Sequence, residues 1–175
     1  MNFVLIKHSE LTKAQAYKIA EVKSQHWLYP VESQIEWMQK SYKPCDVHIL
    51  LMDDDVLVGY MCLAKLDIIA DGNACEALGV SCVCVDRDHL KKGYSIMVMN
   101  RALEIAKESK MIICLLCKDN LVKLYEKCDY TVLNPTTVIV EGTEYKFNLM
   151  LCNSVVAANY ELLRNAKNIS IDRNF

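Results

Sequence analysis

The chain lacks an excess of charge of either sign. Its 20 lysines and arginines against 22 aspartates and glutamates leave a formal net charge of −2 over 175 residues. Such a balance gives no field to gather a polyanion, which argues against nucleic acid as the main partner. Missing too is any apolar run near the roughly 18 to 20 residues needed to cross a bilayer, and Met1 to Glu10 lacks the basic start and long apolar core of a signal peptide. The expected location is therefore the cytoplasm, with no membrane partner. No internal repeat or low-complexity segment appears. What is there is apolar: with 53% hydrophobic and 24% charged residues, the chain can offset the conformational entropy of folding. At this length one domain is expected, with its core at about residues 2–151 and a tail at 152–175.

Nine cysteines make an odd number, and Cys62, Cys82, Cys84 and Cys114 lie inside apolar runs, where a thiol behaves as a small core residue. Cys114 and Cys117 have C-x-x-C spacing. A metal site would also need a second pair or histidines at suitable distance, and Leu115 and Leu116 continue a strand-like run. Reduced thiols and no bound metal are expected.

Element by element, Phe3 to Ile6 reads as a strand, and Thr12 with Gln15 forms a capping-box signature before a helix carrying Ala16, Ile19 and Ala20 on one face. Pro30 separates it from a second helix that runs to about Tyr42. Val47 to Met52 and Val56 to Leu66 form a hairpin across the turn Asp53 to Asp55. After Asp71 and Gly72 comes a long strand from Cys75 to Val85, where Gly79 suggests a bulge. The period changes to helical from Tyr94, and Met111 to Leu116 returns to strand, which implies a parallel pair with a right-handed crossover. A shorter helix with Leu121, Leu124, Tyr125 and Cys128 on one face follows. Val132 to Val140 and Tyr145 to Leu151 then read as a closing hairpin around Gly142, and Val155 to Ala166 has helical periodicity.

The informative segment runs from Val83 through Asp86 and Lys92 to Ser95, leaving a buried strand, crossing a polar loop and entering a helix. Amides at a helix start have no intrahelical acceptor, and the helix dipole adds partial positive charge, so Lys91 to Ile96 suits a pyrophosphate. Gly93 permits close approach, and Lys91 and Lys92 supply charge.

This segment resembles the signature of the Gcn5-related N-acetyltransferase superfamily, a strand ending in valine before R/Q-x-x-G-x-G/A at a helix start. Val85 falls on the valine, Leu90 on the R/Q place, Gly93 on the first glycine and Ser95 on the final small residue. Leu90 departs from the pattern and removes a side-chain donor, while the backbone amides are unaffected. Leu124 to Tyr130 is similar to the family's L/F-Y-E-x-x-G-F, with Asp129 in the glycine place, where aspartate tolerates the left-handed region.

The resemblance implies an α/β (α+β) fold: a mixed, mainly antiparallel central sheet of six to seven strands flanked by helices, with a splayed parallel strand pair. It also implies acetyl-coenzyme A as co-substrate, held by Val83, Cys84, Val85, Leu90, Lys91, Lys92, Gly93, Tyr94, Ser95 and Ile96. A bulge at Gly79 or Ser81 would direct a backbone N–H at the thioester oxygen. Tyr125 would donate a proton to the departing thiolate, since a phenol is protonated at neutral pH. Equally, Tyr125 could be one more residue of the apolar stripe of its helix.

The acceptor amine must lose a proton, and Glu76, on the central strand between apolar neighbours, is the first candidate base, with Asp67 and His48 as alternatives. His48 alternates with Val47 and Ile49, which suits a half-buried strand position. Trp27, Tyr29, Trp37 and Tyr42 could line an acceptor pocket or anchor helices on the sheet. Glu32, Glu36 and Asp53 to Asp55 could attract a cationic amine, although charged turns and helix faces are usually solvated. The expected activity is acetyl transfer to a primary amine of a small molecule in a ternary complex. A coenzyme A-binding regulatory module with little turnover, or transfer to protein or peptide amines, stands as the alternative. Members of the superfamily often pair through their last strands, so a homodimer is also expected.

Overall fold

Local signals set the first elements. β1 (Asn2–Lys7) leads into α1 (Lys13–Ser24), whose start is closed by a capping box in which Thr12 accepts from the Gln15 amide and the Gln15 side chain accepts from Thr12. Two donors at the helix start are thereby satisfied. Pro30 stands at the N-cap of α2 (Val31–Ser41), where its missing amide proton costs no helical bond. A turn with Asp54 at φ +50° joins β2 (Val47–Asp53) to β3 (Val56–Ala70). Asp71 and Gly72, at φ +46° and +84°, turn the chain into β4 (Asn73–Val85), as a two-residue hairpin turn requires. A 3-10 turn at Arg87–His89 precedes α3 (Tyr94–Ser109), β5 (Ile112–Cys117) and α4 (Asp119–Glu126). The chain continues with β6 (Tyr130–Val132), β7 (Thr137–Val140), β8 (Thr143–Glu144) and β9 (Asn148–Cys152), and then α5 (Tyr160–Asn165) and β10 (Asn168–Ile171).

The structure, a computed structural model, describes residues 1–135 and 137–175. Two units are distinguished, Met1–Ala64 with Ser81–Ala102, and Lys65–Val80 with Leu103–Phe175. Among the described residues no helix is long and apolar enough to cross a membrane.

In the first unit β2 pairs antiparallel with β1 on one side and with β3 on the other. Ile19 and Ala20 of α1, Met38 of α2, Leu50 of β2 and Tyr60 of β3 meet in its core. Each large aliphatic removed from water there contributes about 1.5–3 kcal/mol.

In the second unit β5 runs parallel to β4 from Ala77 opposite Ile112 to Val80 opposite Leu115, while β4 itself continues to Val85. β9 pairs antiparallel with β5 and β6. β10 lies between β3 and β7, antiparallel to the first and parallel to the second.

The sheet is mixed and mainly antiparallel with helices flanking it, as expected, but it has ten strands among the described residues instead of six to seven. Three features account for the surplus over seven: a divided run at 132–140, the two-residue β8 ahead of β9, and β10. The run read as one strand over 132–140 is divided: β6 ends at Val132 on the edge of β9, and β7 resumes at Thr137 beside β10. Pro135, which lacks an amide proton, cannot donate to a ladder there, and Thr136 of that run lies outside the described residues. The expected closing hairpin is accordingly reduced to β7 and β8. In addition, the segment after Cys152 supplies β10, whose buried Ile169 and Ile171 flank half-buried Ser170, an alternation too short to stand out in sequence.

Gly79 pairs in register with Cys114, so no bulge interrupts the ladder between β4 and β5 there. A Cβ there would lie 2.5 Å from Cδ2 of Phe175 and 2.7 Å from Cδ1 of Leu66, so the residue is glycine because two side chains occupy the space. Gly79→Ala is expected to destabilise the protein by about 1–3 kcal/mol through overpacking, read as a lower urea midpoint. Adding Phe175→Ala should recover part of that loss. An unchanged midpoint for Gly79→Ala would contradict the contact.

Candidate active site

The strand-loop-helix segment belongs to the first unit, and the end of α1 holds it. Asp86 accepts from the Asp88 amide at 3.1 Å and from Gln25 Nε2 at 2.9 Å, and its carboxylate faces His89 Nδ1 at 2.8 Å. Gln25 closes the clamp from its other end, its Oε1 accepting from the Arg87 amide at 2.7 Å. His26 Nε2 lies 2.6 Å from the Val85 carbonyl, and because a carbonyl only accepts, this nitrogen carries the proton. Burial would raise the Asp86 pKa, but the bonds from Gln25, His89 and the Asp88 amide outweigh it and hold the carboxyl below its ordinary value.

Beyond the clamp the backbone is left-handed at Lys91 (φ +63°) and at Gly93 (φ +82°). A Cβ at Gly93 would meet nothing within 4 Å, so the dihedral and not crowding calls for glycine. Met97 N donates to Gly93 O at 3.1 Å, which leaves the amides of Tyr94, Ser95 and Ile96 ahead of the first helical bond, at the positive end of the α3 dipole. Leu90, Lys91 and Lys92 are exposed beside them. This arrangement can hold a phosphate or pyrophosphate.

β4 is kinked just upstream. Cys82 has φ +53°, a conformation that costs an L-residue about 1–2 kcal/mol. The irregularity expected at Gly79 or Ser81 thus falls one residue past Ser81. Alternation along the strand resets there: Val80 and Ser81 are both buried, Cys82 and Val83 both half-buried.

Beside Cys82 opens a cavity of about 350 Å³, and Trp27, Tyr29 and Trp37 wall it. Three of the four aromatic residues singled out in the sequence are therefore brought together around one space, while Tyr42 is buried with its ring 5.3 Å from that of Trp37. Trp27 and Trp37 remain 37% and 36% exposed. Buried Gln34, also at the cavity, shapes the connection between α1 and α2 by donating from Nε2 to the Trp27 carbonyl at 3.0 Å.

One lining residue escaped the sequence reading. Lys23 is 1% exposed, its Nζ sits 4.0 Å from the centre of the Trp37 ring, and it has no hydrogen-bond partner among the described residues. The available signal was its place on the apolar stripe of α1, four residues after Ile19 and three after Ala20.

Behind the cavity lies a buried polar network that was also missed. Tyr42 OH and Ser81 Oγ are 3.1 Å apart. His48 Nδ1 is 2.8 Å from Tyr60 OH, and its Nε2 is 3.0 Å from His8 Nδ1. His48 is wholly buried, where alternation suggested a half-buried position. Burial, then the charges of His8 and Lys23, push its pKa down to about 3. Burial raises the Tyr42 and Tyr60 phenols well above their usual range. It likewise raises the Cys84 thiol, and it pushes Cys114 up to about 12; such thiols are inert core groups.

Tyr125 and Glu76 belong to the second unit. Tyr125 is buried on α4 and meets Tyr130 edge-on, with centroids 6.3 Å apart. Asp129, in the glycine place of that motif, has φ +64°, the left-handed backbone anticipated for it. Glu76 is 56% exposed and forms a 2.8 Å ion pair with Lys65. Asp67 lies on β3, where its amide donates to Asp172 Oδ1 at 2.9 Å.

A family model described as an acetyltransferase (GNAT) domain matches residues 7–133. Several solved structures have a similar fold. Escherichia coli ElaA is 17% identical with a TM-score of 0.64, the match covering 87% of this chain and 100% of that one. The GNAT family N-acetyltransferase YhbS of Escherichia coli, in complex with CoA, is 13% identical with a TM-score of 0.65 over 97% of this chain and 89% of that one. An aminoglycoside 6'-N-acetyltransferase complexed with coenzyme A is 14% identical with a TM-score of 0.62 over 85% and 95%. No curated protein matches the chain.

The His48 environment makes stability depend on pH. Folded His48 stays neutral down to about pH 3, whereas an unfolded imidazole takes up its proton near 6.5, so the unfolded state binds more protons between those values. Stability is therefore expected to fall as the pH drops from about 6.5, by on the order of 4 kcal/mol for this group before levelling off near pH 3. His48→Gln, which keeps a partner for Tyr60, should flatten that loss in denaturant titrations run from neutral pH downward. A variant with the wild-type slope would contradict the assignment.

Proposed function

The chain belongs to the acetyltransferase (GNAT) domain family, and from that premise we propose that it moves an acetyl group from acetyl-coenzyme A to a primary amine of a small molecule, by direct attack in a ternary complex. The observation that carries this reading is the clamped loop from Asp86 to Gly93, which delivers the amides of Tyr94, Ser95 and Ile96 as a group of anion donors. Lys91 and Lys92 add charge beside them. With Leu90 in the place of the family's Arg or Gln, the backbone carries most of the pyrophosphate contact. In this reading the backbone of Val83 to Val85 takes the pantetheine arm, although the Val85 carbonyl is already engaged by His26.

The aromatic cavity receives the acceptor, whose nitrogen lone pair attacks the thioester carbonyl. A backbone N–H near the kink at Cys82 stabilises the oxyanion. The C–S bond then breaks, Tyr125 gives its proton to the departing thiolate, and the proton leaving the amine passes to Glu76 directly or through water. Cysteines set into the buried strands, as Cys62, Cys84 and Cys114 are, suit the reducing cytoplasm as the place of action.

Calorimetric titration with acetyl-coenzyme A, followed by an amine panel read by released thiol, tests the proposal. Absence of binding rejects it, and binding without turnover leaves a regulatory coenzyme A-binding module. Tyr125→Phe is expected to lower kcat by at least about tenfold, as removal of a general acid does, with cofactor affinity unchanged. Unaltered turnover would return Tyr125 to the apolar face of α4. Glu76→Gln should slow the reaction most at low pH, where the amine is most protonated. A pH profile identical to wild type would remove Glu76 from the mechanism.

A further inference from the structure

The cavity beside Cys82 is aromatic on its walls and cationic at one point in its lining. Lys23 contributes an ammonium with three donors and no acceptor, buried to 1% and without a hydrogen-bond partner among the described residues. A lysine on an ordinary helix face extends its stem until the head reaches water. Here the head stops against the Trp37 ring, 4.0 Å from its centre, an attraction that offsets only part of the cost of removing an ammonium from water. A buried cation that neither pairs nor snorkels is poised for an anion supplied from outside the chain. The acidic residues that could have drawn a cationic amine do not compete with it: Glu32, Glu36, Asp54 and Asp55 are exposed, Asp53 is half-buried, and none of them lines this cavity.

Resting on the acetyltransferase reading above, we propose that the acceptor is an amine that also bears a carboxylate, of the size of a single amino acid, with its carboxylate paired to Lys23 and its apolar part packed between Trp27 and Trp37. A volume of about 350 Å³ accommodates one such molecule. The pairing is charge-assisted and shielded from water, so it discriminates strongly against an amine that lacks the carboxylate. Orientation follows from the same contact. With the carboxylate anchored at Lys23, the amine two bonds away is confined to the neighbourhood of that lysine, on a wall shared with the kinked backbone at Cys82.

The two tryptophans of the chain both line this cavity, so their emission reports occupancy without turnover. The experiment titrates the full chain with two matched pairs, phenylalanine with phenethylamine and leucine with isopentylamine. In at least one pair the amino acid is expected to bind at least about tenfold more tightly than its decarboxylated amine. Lys23→Met should abolish the preference, and its melting temperature should be no lower than that of the wild type because an unpaired buried charge has been removed. Lys23→Arg keeps the charge and should keep the preference. In the acyl-transfer assay Lys23→Met should raise KM for the preferred amino acid by a larger factor than KM for the matched amine, with a smaller change in kcat.

The proposal is overturned if neither pair shows a preference, if no carboxylate perturbs the emission up to about 10 mM, or if Lys23→Met weakens both members of a pair alike. It is also overturned if the amino acid binds but only its decarboxylated amine is acetylated, or if succinyl-coenzyme A replaces acetyl-coenzyme A with a Lys23-dependent gain in rate, which would assign the lysine to the acyl group. Should acetyl-coenzyme A fail to bind while the Lys23-dependent preference persists, the transferase reading falls and the carboxylate site stands.

Discussion

The end of β4 depends on the last turn of α1 and the residue chain that leaves it. Gln25 bonds both Asp86 and the Arg87 amide, and His26 bonds the Val85 carbonyl, so the strand's exit into the loop is satisfied by two neighbouring side chains. Lys23, two residues before Gln25, and Trp27, directly after His26, line the aromatic cavity. Four of the five residues from Lys23 to Trp27 thus serve the strand-to-helix loop on one side and a pocket on the other. The pitch of a helix explains the economy, because residues a few positions apart point in different directions. If this turn frayed, the loop would lose its clamp and the cavity its floor together.

The interior behind this turn is unusually polar for a core. His48 sits between His8 and Tyr60, and Tyr42 meets Ser81 next to the left-handed Cys82. Paired polar groups in a low-dielectric interior are costly to disturb, since a partner left alone pays its full desolvation. Such a network pins the positions of β2, β3 and β4 against one another within the first unit more tightly than apolar contacts of the same area. That rigidity is consistent with a backbone kink being retained at Cys82 at a local cost.

Much of the architecture was legible because it follows from local rules. The capping box at Thr12 and Gln15, the turns at Asp54 and at Asp71 with Gly72, and the left-handed Asp129 all depend on residues within a few positions of one another. The passage from Val83 to Ser95 was legible for the same reason, since a strand, a polar loop with glycine and a helical period announce themselves in order. Strands that depend on distant partners were not. β10 exists because β3 and β7 offer it edges on both sides, and the division of the 132–140 run reflects where β9 and β10 lie rather than its own composition.

The same boundary separates the parts of the candidate site. By itself the sequence determined the strand, polar loop and helix start from Val83 to Ser95 and set Trp27, Tyr29, Trp37 and Tyr42 in one early segment, because helix starts and short-range spacing are properties of the chain. Only the tertiary structure decided that Gln25 clamps the loop, that His48 is sealed from water, that Gly79 is demanded by Phe175 and Leu66, and that the cavity carries a cation. Those facts turn on burial and on contacts between residues far apart in the chain. A lysine on an apolar stripe has the same local sequence whether its head reaches solvent or ends beneath a tryptophan.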